Sequence, residues 1–207
     1  MNLTVNPGGG LVELEARLQR QEDLEAIRNV LAAYCRGVDR MDEATLRSIY
    51  HEDAIEDRGE GLFIGRAQDW IPWTLSLLPA LVETQHCIFN SIIDLDGDQA
   101  HAETYFRAYH RFSAAQAPAA AAATGQPLDA LEWPSGEVEL LLAGRYLDRL
   151  TKRNGQWRFS YRKMVNDWTH TRPIADGWFA DNPTVYRGAR SLDDTRLGSA
   201  RHPERAF

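Results

Sequence analysis

Cysteine is nearly missing from this chain. Cys35 and Cys87 are its two examples in 207 residues, too few for a disulfide framework and not spaced like zinc ligands. Long apolar runs are missing as well, since none approaches the roughly 18 residues that a membrane-spanning helix requires. Positive charge is in deficit: 23 Lys and Arg face 30 Asp and Glu, a formal net charge of -7. That balance argues against non-specific binding to nucleic acid or to an anionic membrane surface. The opening MNLTVNPGGG lacks the basic and apolar segments of a secretory signal. Together these absences predict a reduced, cytoplasmic protein. Missing motifs restrict the chemistry further. There is no GxSxG elbow, Walker loop or GxGxxG fingerprint to support a nucleophilic hydrolase or a nucleotide enzyme, and no HxH or HExxH pair to suggest a metal. The expectation is a site with no metal and no cofactor.

What is present is organised around Glu22 to Tyr50. Leu24, Ile27, Leu31, Tyr34 and Val38 recur at helical spacing and form one apolar stripe. Asp23, one residue before that stripe, is placed to cap the helix. Gly37 loosens the helix, Asp39 follows directly on the stripe, and Asp42 starts a second short helix with Leu46, Ile49 and Tyr50 as its buried side. Asp39 is thus a carboxylate at the end of a buried face, a costly position unless it is paired. From local sequence alone, the plain reading of Asp39 is a surface aspartate in a helix–helix turn.

With 43% hydrophobic residues, the chain is long enough for one domain with a sizeable core and extra segments. Residues 1–20 read as a flexible leader and a helix start. Leu11, Leu14 and Leu18 continue the helical pattern, with a kink near Arg20 to Asp23. Residues 21–170 form the domain. Within it, Ala54 to Asp57 is a candidate strand, and Arg66 to Val82 a largely buried helix with Pro72 in its first turn or at a kink. Thr84 to Leu95 and Gln99 to Phe112 are long strands joined at Asp96-Gly97, a hairpin signal. Gly136 to Lys152 and Gln156 to Trp168 make a second hairpin through Asn154-Gly155. Between the hairpins, the Ala- and Pro-rich segment 113–135 reads as an insertion or long loop. Residues 171–207, rich in Pro and Gly, read as a wrapping tail.

Helices first and long antiparallel strands after them predict an α+β fold. The expected form is a cone-shaped, curved antiparallel or mixed sheet with the N-terminal helices closing one side. Such a cone encloses a small-molecule cavity. The apolar run Leu140-Leu141-Leu142 suggests a sheet face covered by another copy of the chain.

Asp39, His86, His110, Tyr34 and several arginines form an acid–base set. A carboxylate beside an imidazole fixes its tautomer and raises its basicity, and a phenol or guanidinium nearby can hold a developing oxyanion. Proton abstraction followed by loss of a leaving group, or isomerisation, suits this set. A lone strand histidine such as His86 is as readily structural. His101 and His110 fall on opposite parities of one strand, so a regular strand cannot turn both to one metal.

Three stretches carry a resemblance: the helix running into Val38-Asp39-Arg40, the triplet Thr84-Gln85-His86, and Gly144-Arg145-Tyr146 leading through Asn154 to Phe159. Over roughly residues 20 to 170 the chain resembles the SnoaL-like branch of the nuclear transport factor 2-like superfamily. That branch includes scytalone dehydratase, bile acid 7α-dehydratase and lindane dehydrochlorinase. The resemblance implies a cystatin-like α+β barrel and a cofactor-independent lyase, a dehydratase acting on a small hydroxylated cyclic or aromatic compound. His86 would be the base and Asp39 its orienting partner, with Tyr34, His110 and Arg162 as polar stabilisers or proton donors. Lys163 competes with Arg162 for its role. Trp70, Trp73, Phe89, Tyr105 and Tyr146 would meet a flat substrate. The chain departs from the pattern after the first strand, where Asp57 or a neighbour stands in place of a tyrosine. An isomerase, a polyketide cyclase or an aldehyde-releasing retro-aldol lyase would use the same dyad. A non-catalytic ligand-binding subunit, like the small subunit of ring-hydroxylating dioxygenases, would share the fold. In either case a homo-oligomer, trimer or dimer, is implied, with no nucleic-acid or membrane partner.

Overall fold

Helix α1 (Pro7–Asp39) opens the computed structural model, which describes residues 7–125, 136–174, 181–182, 184 and 188–191. It runs unbroken through Arg20 to Asp23, with neither the expected kink nor a flexible stretch from residue 7 onward. Its interior there is built from good helix formers, with no proline to interrupt it. Leu11, Leu14 and Leu18 are more than half exposed, whereas Ile27, Leu31, Tyr34 and Val38 are buried. Asp23 is no cap. It sits within the helix and accepts from Lys152 Nζ at 2.8 Å and Trp157 Nε1 at 2.7 Å. Gly37 does not loosen α1 either. It is the point where α2 (Glu43–Ser48) lies against α1, because a Cβ there would stand 2.7 Å from Leu46 Cδ2. Asp42 does cap α2, accepting from Thr45 N at 3.0 Å.

The sheet has six strands in the order β2-β1-β6-β5-β4-β3: β1 (Tyr50–Asp57), β2 (Ile64–Arg66), β3 (Glu83–Asp96), β4 (Gln99–Ser113), β5 (Glu137–Arg153) and β6 (Gln156–Ile174). Neighbours are antiparallel except β1 and β6, which are parallel. The architecture is mixed α+β, a curved open sheet with helices on one side. Helix α3 (Ala67–Leu77) carries Pro72 at its sixth position, beyond the first turn, and passes into a 3-10 turn at Leu78–Ala80. The short strand β2 was not anticipated from the sequence, and β6 runs past residue 170 to Ile174. Among the described residues, no helix is long and apolar enough to cross a membrane.

Alternation decides which side chains enter the core. Along β4, Ala102, Thr104, Phe106, Ala108, His110 and Phe112 are buried, while the odd positions face outward. Along β5, Leu140 and Leu142 point inward and Leu141 is half-buried, so the leucine run is not an outward apolar band. Bulges then break the pattern. In the β5–β6 register, Arg149 pairs Tyr161 but Leu150 pairs Phe159, leaving Ser160 as the extra residue. One extra residue reverses parity, so Phe159 and Arg162 both face the core.

The segment between the hairpins is not wholly a loop. Its first part folds as a 3-10 turn (Ala114–Gln116) and helix α4 (Ala117–Thr124), ended by Gly125 with φ of 69°. Ser113 and Gln116 cap its start. Residues 126–135 lie outside the described residues, as does most of the tail. Within the tail, Arg190 donates to the carbonyls of Leu78 and Leu81.

Gly144 marks a second bulge, between Ala143 and Gly144, where a Cβ would lie 1.9 Å from the Val165 carbonyl oxygen. The obstacle is backbone rather than a flexible side chain. Gly144→Ala is therefore expected to destabilise the fold by about 1–3 kcal/mol or more, read as a lower denaturant midpoint. An unchanged midpoint would show that β5 and β6 can separate here at no cost.

Candidate active site

Asp39 is the last residue of α1 and faces the start of β3. Its Oδ1 accepts from Thr84 Oγ1 at 3.0 Å and lies 2.7 Å from His86 Nδ1, while its Oδ2 accepts from the His86 backbone N–H at 2.9 Å. The carboxylate is thus held at three points and buried. A carboxylate only accepts, so His86 Nδ1 carries a ring hydrogen, and in the neutral tautomer the lone pair falls on Nε2. The structure brings Asp39 and His86 together. What the arrangement offers chemically is an oriented imidazole base.

His110 lies edge-on to His86, with ring centroids 5.4 Å apart. It is buried, and its Nδ1 has no hydrogen-bond partner among the described residues. Burial, reinforced by the neighbouring His86 and Arg190, holds His110 well below the ordinary histidine range, so the ring is neutral near pH 7.

Both histidines line a narrow cavity of about 50 Å³. Tyr34, Trp70, Trp73 and Tyr146 also line it, and Ala123 and Thr124 of α4 contribute one wall. His86 also faces a wider opening of about 700 Å³, which it shares with Asp39, Arg36, Arg40 and Arg190. The dyad therefore stands between a small aromatic chamber and an open vestibule. Phe89 and Tyr105, both expected against a substrate, lie elsewhere. Phe89 is 54% exposed beside the β3 bulge, and Tyr105 occupies an outward position of β4.

Arg162 is also placed differently from expectation. It is fully buried, pairs with both Asp148 oxygens at 2.8 Å, and stacks on Tyr34, Tyr146 and Phe159 at 4.1–4.2 Å. It underlies the cavity without lining it. Lys163 points outward toward Asp57, at 3.5 Å.

The guanidinium that does line the cavity is Arg58. It pairs with buried Glu56 at 2.6 Å, donates to the Tyr34 hydroxyl, and lies 4.8 Å above the Trp70 ring. Burial alone would weaken this cation. Glu56 and the surrounding phenols outweigh it and hold Arg58 firmly protonated. Ala54, Glu56 and Arg58 share one parity, but Arg58 stands just past the end of the strand, where parity no longer binds. Asp57, the residue singled out after this strand, faces the other way and accepts from Tyr161 Oη at 2.7 Å. Among the described residues, no group of three or more His, Cys, Asp and Glu side chains is arranged to hold a metal.

A curved six-stranded sheet backed by helices, with an aspartate–histidine pair beside an aromatic cavity, defines a SnoaL-like α+β cone. Residues 19–163 match the SnoaL-like domain model, and the chain belongs to that family. No curated protein matches this sequence. Among solved structures, a scytalone dehydratase-like protein of Novosphingobium aromaticivorans is similar, with a TM-score of 0.57, 21% identity, and coverage of 75% of this chain and 91% of that one. The hexachlorocyclohexane dehydrochlorinase LinA-type3 of Novosphingobium barchaimii LL02 gives a TM-score of 0.60, 17% identity, and coverage of 77% and 99%. The Kfla4162 protein of Kribbella flavida gives 0.59, 18%, and 73% and 95%. At these identities the likeness establishes the fold and nothing finer.

The buried neutral His110 makes stability depend on pH in one direction. With its folded value held below the ordinary 6.5, the unfolded chain binds the proton first, so stability falls as pH drops through that value. Thermal unfolding between about pH 8 and about pH 5 should show this loss. His110→Gln should remove up to about 1.4 kcal/mol per pH unit of the slope. An unaltered slope would mean that His110 titrates normally in the folded state.

Proposed function

We propose that this protein is a cofactor-independent lyase that removes a proton and expels water from a small hydroxylated cyclic or aromatic compound. The observation that carries the reading is the pinned tautomer: Asp39 occupies His86 Nδ1 at 2.7 Å, which leaves Nε2 as the base of a residue that lines the cavity. In the forward step, Nε2 takes a proton from carbon and Asp39 stabilises the imidazolium that forms. The carbon–carbon double bond forms as the hydroxyl departs, and the imidazolium returns its proton to that hydroxyl. Water is released and the base is restored. Neutral His110 orients the leaving oxygen, while Trp70, Trp73 and Tyr146 offer flat apolar surfaces at the chamber, which the edge of a ring entering from the vestibule would meet. Isomerisation or a retro-aldol release would begin with the same base and differ in product.

Self-association belongs to the same reading. Phe89, Ile92, Tyr105 and Trp168 stand exposed on the outer sheet face, and a second copy of the chain would cover them. Light scattering at micromolar concentration should give a multiple of the monomer mass. A monomer mass counts directly against this.

The dyad is tested with a panel of hydroxylated cyclic and aromatic compounds, followed for loss of water or of a small aldehyde. On any compound that turns over, His86→Ala should lower kcat by roughly 10²–10⁴. Asp39→Asn should also lower it, and the double variant should fall well short of the product of the two losses. Exhaustive chelation should leave the rate unchanged. Turnover by His86→Ala at the wild-type rate would place the base elsewhere.

A further inference from the structure

The chamber beside the dyad is too small for a whole ring. About 50 Å³ is free in it, against roughly 150 Å³ for a cavity that takes a single benzene. Most of a cyclic substrate would therefore lie in the vestibule of about 700 Å³, onto which Asp39 and His86 also open. The side chains of that vestibule then decide which compounds reach the base.

Three guanidiniums line it, those of Arg36, Arg40 and Arg190. Arg40 continues the last turn of α1, its amide donating to the Arg36 carbonyl at 2.9 Å. Arg36 and Arg40 thus stand four residues apart on one side of that turn, a spacing at which like charges repel. A helix end favours one cation nearby, but it does not call for three. Arg190 arrives from the tail, where its Nη1 donates to the Leu78 and Leu81 carbonyls. Its Nε and Nη2 are buried with no hydrogen-bond partner among the described residues. Burial, reinforced by Arg40, outweighs the attraction of Asp39 and holds Arg190 below the ordinary arginine range. Of the two acids on the opening, Asp39 already takes three donors, and Glu83 pairs with Arg111 at 3.4 Å. The opening therefore carries an excess of positive charge on a chain whose net charge is -7.

We infer that Arg36, Arg40 and Arg190 form a subsite for an anionic substituent of the substrate, a carboxylate or phosphate that takes no part in the reaction. This rests on the acid–base reading of Asp39 and His86 and narrows its substrates to cyclic acids. Guanidinium forks match the oxygens of either group. Holding that group in the vestibule fixes the ring against His86, so a remote part of the substrate positions the carbon that loses its proton. Neutral compounds of the same shape would enter without being held.

Isothermal titration of the full-length protein tests the subsite, in a low-salt buffer free of phosphate and carboxylate. The probes are benzoate and phenyl phosphate, with benzamide as the neutral counterpart. At least one of the two anions should bind about 10-fold or more tightly than benzamide, and its affinity should fall as salt is added. The tighter of the two anions identifies the substituent. Arg190→Gln should weaken that anion about 10-fold or more and leave benzamide unchanged. Because this variant also frees the tail from Leu78 and Leu81, Arg36→Gln on the exposed side of the opening is measured alongside, with thermal unfolding as a check. It should cost roughly 2- to 5-fold. No saturable binding of either anion at millimolar concentration, benzamide bound as tightly as both, or anion affinity unaltered in both variants would overturn the proposal. Anions bound as expected with no compound turned over would leave the subsite standing and remove the lyase reading. Neutral compounds turned over with a KM that Arg190→Gln does not change would keep the lyase and remove the subsite.

Discussion

One carboxylate joins the two halves of this molecule. Asp39 ends the helix that covers the sheet, and its oxygens take up donors from Thr84 and His86 at the beginning of β3. Two of the three donors, the Thr84 hydroxyl and the His86 amide, fix where the helix end meets the strand. The third fixes the imidazole. The same contact therefore sets where the helix closes on the sheet and how the His86 ring is turned. A buried, multiply hydrogen-bonded carboxylate of this kind is tolerated because each donor offsets part of its desolvation.

Two further buried ion pairs stand at the cavity, Arg162 with Asp148 beneath it and Arg58 with Glu56 in its wall. They differ in use of space. Arg162 is enclosed by three aromatic rings and joins β6 to β5 through both oxygens of Asp148, while its Nη1 has no hydrogen-bond partner among the described residues. Arg58 stands at the edge of the rings with donors to spare. Burying ion pairs seldom adds net stability over apolar packing, so their presence here is better explained by what they position than by what they stabilise. Arg162 holds the faces of Tyr34 and Tyr146, and Arg58 holds the hydroxyl of Tyr34.

The fold was legible because its signals are periodic: a 3.6-residue stripe up to Val38, two long alternating hairpins, and turn pairs at Asp96-Gly97 and Asn154-Gly155. The meeting of Asp39 and His86 is not legible from periodicity, which leaves Asp39 as a turn aspartate and His86 as a lone strand histidine; it follows from the resemblance carried by Val38-Asp39-Arg40 and Thr84-Gln85-His86. The orientation of Arg162 was not, because it depends on the single extra residue at Ser160, and nothing in the composition of β6 marks a bulge. Phe89 was misplaced for the same reason at the β3 bulge. Arg58 is hidden for another reason: it stands just past the end of β1 at Asp57, where strand alternation no longer says which way a side chain points. Helix α4 was hidden by its own composition: a run of alanines has no stripe to detect, though alanine is the best helix former.

Helix α4 also separates two kinds of change. The chain leaves the sheet at Ser113 and returns at Gly136, and those points are already joined, because the amide of Ala114 donates to the carbonyl of Gly136 at 2.9 Å. The two ends of the segment are thus fixed to adjacent strands, and lengthening a loop closed in this way costs little conformational entropy. Ala123 and Thr124 reach the chamber from that segment, while the Asp39–His86 pair and Arg58 reach it from other parts of the chain. The wall of the chamber and the Asp39–His86 pair are written in different stretches of sequence, so the shape of the one can drift while the geometry of the other stays as it is.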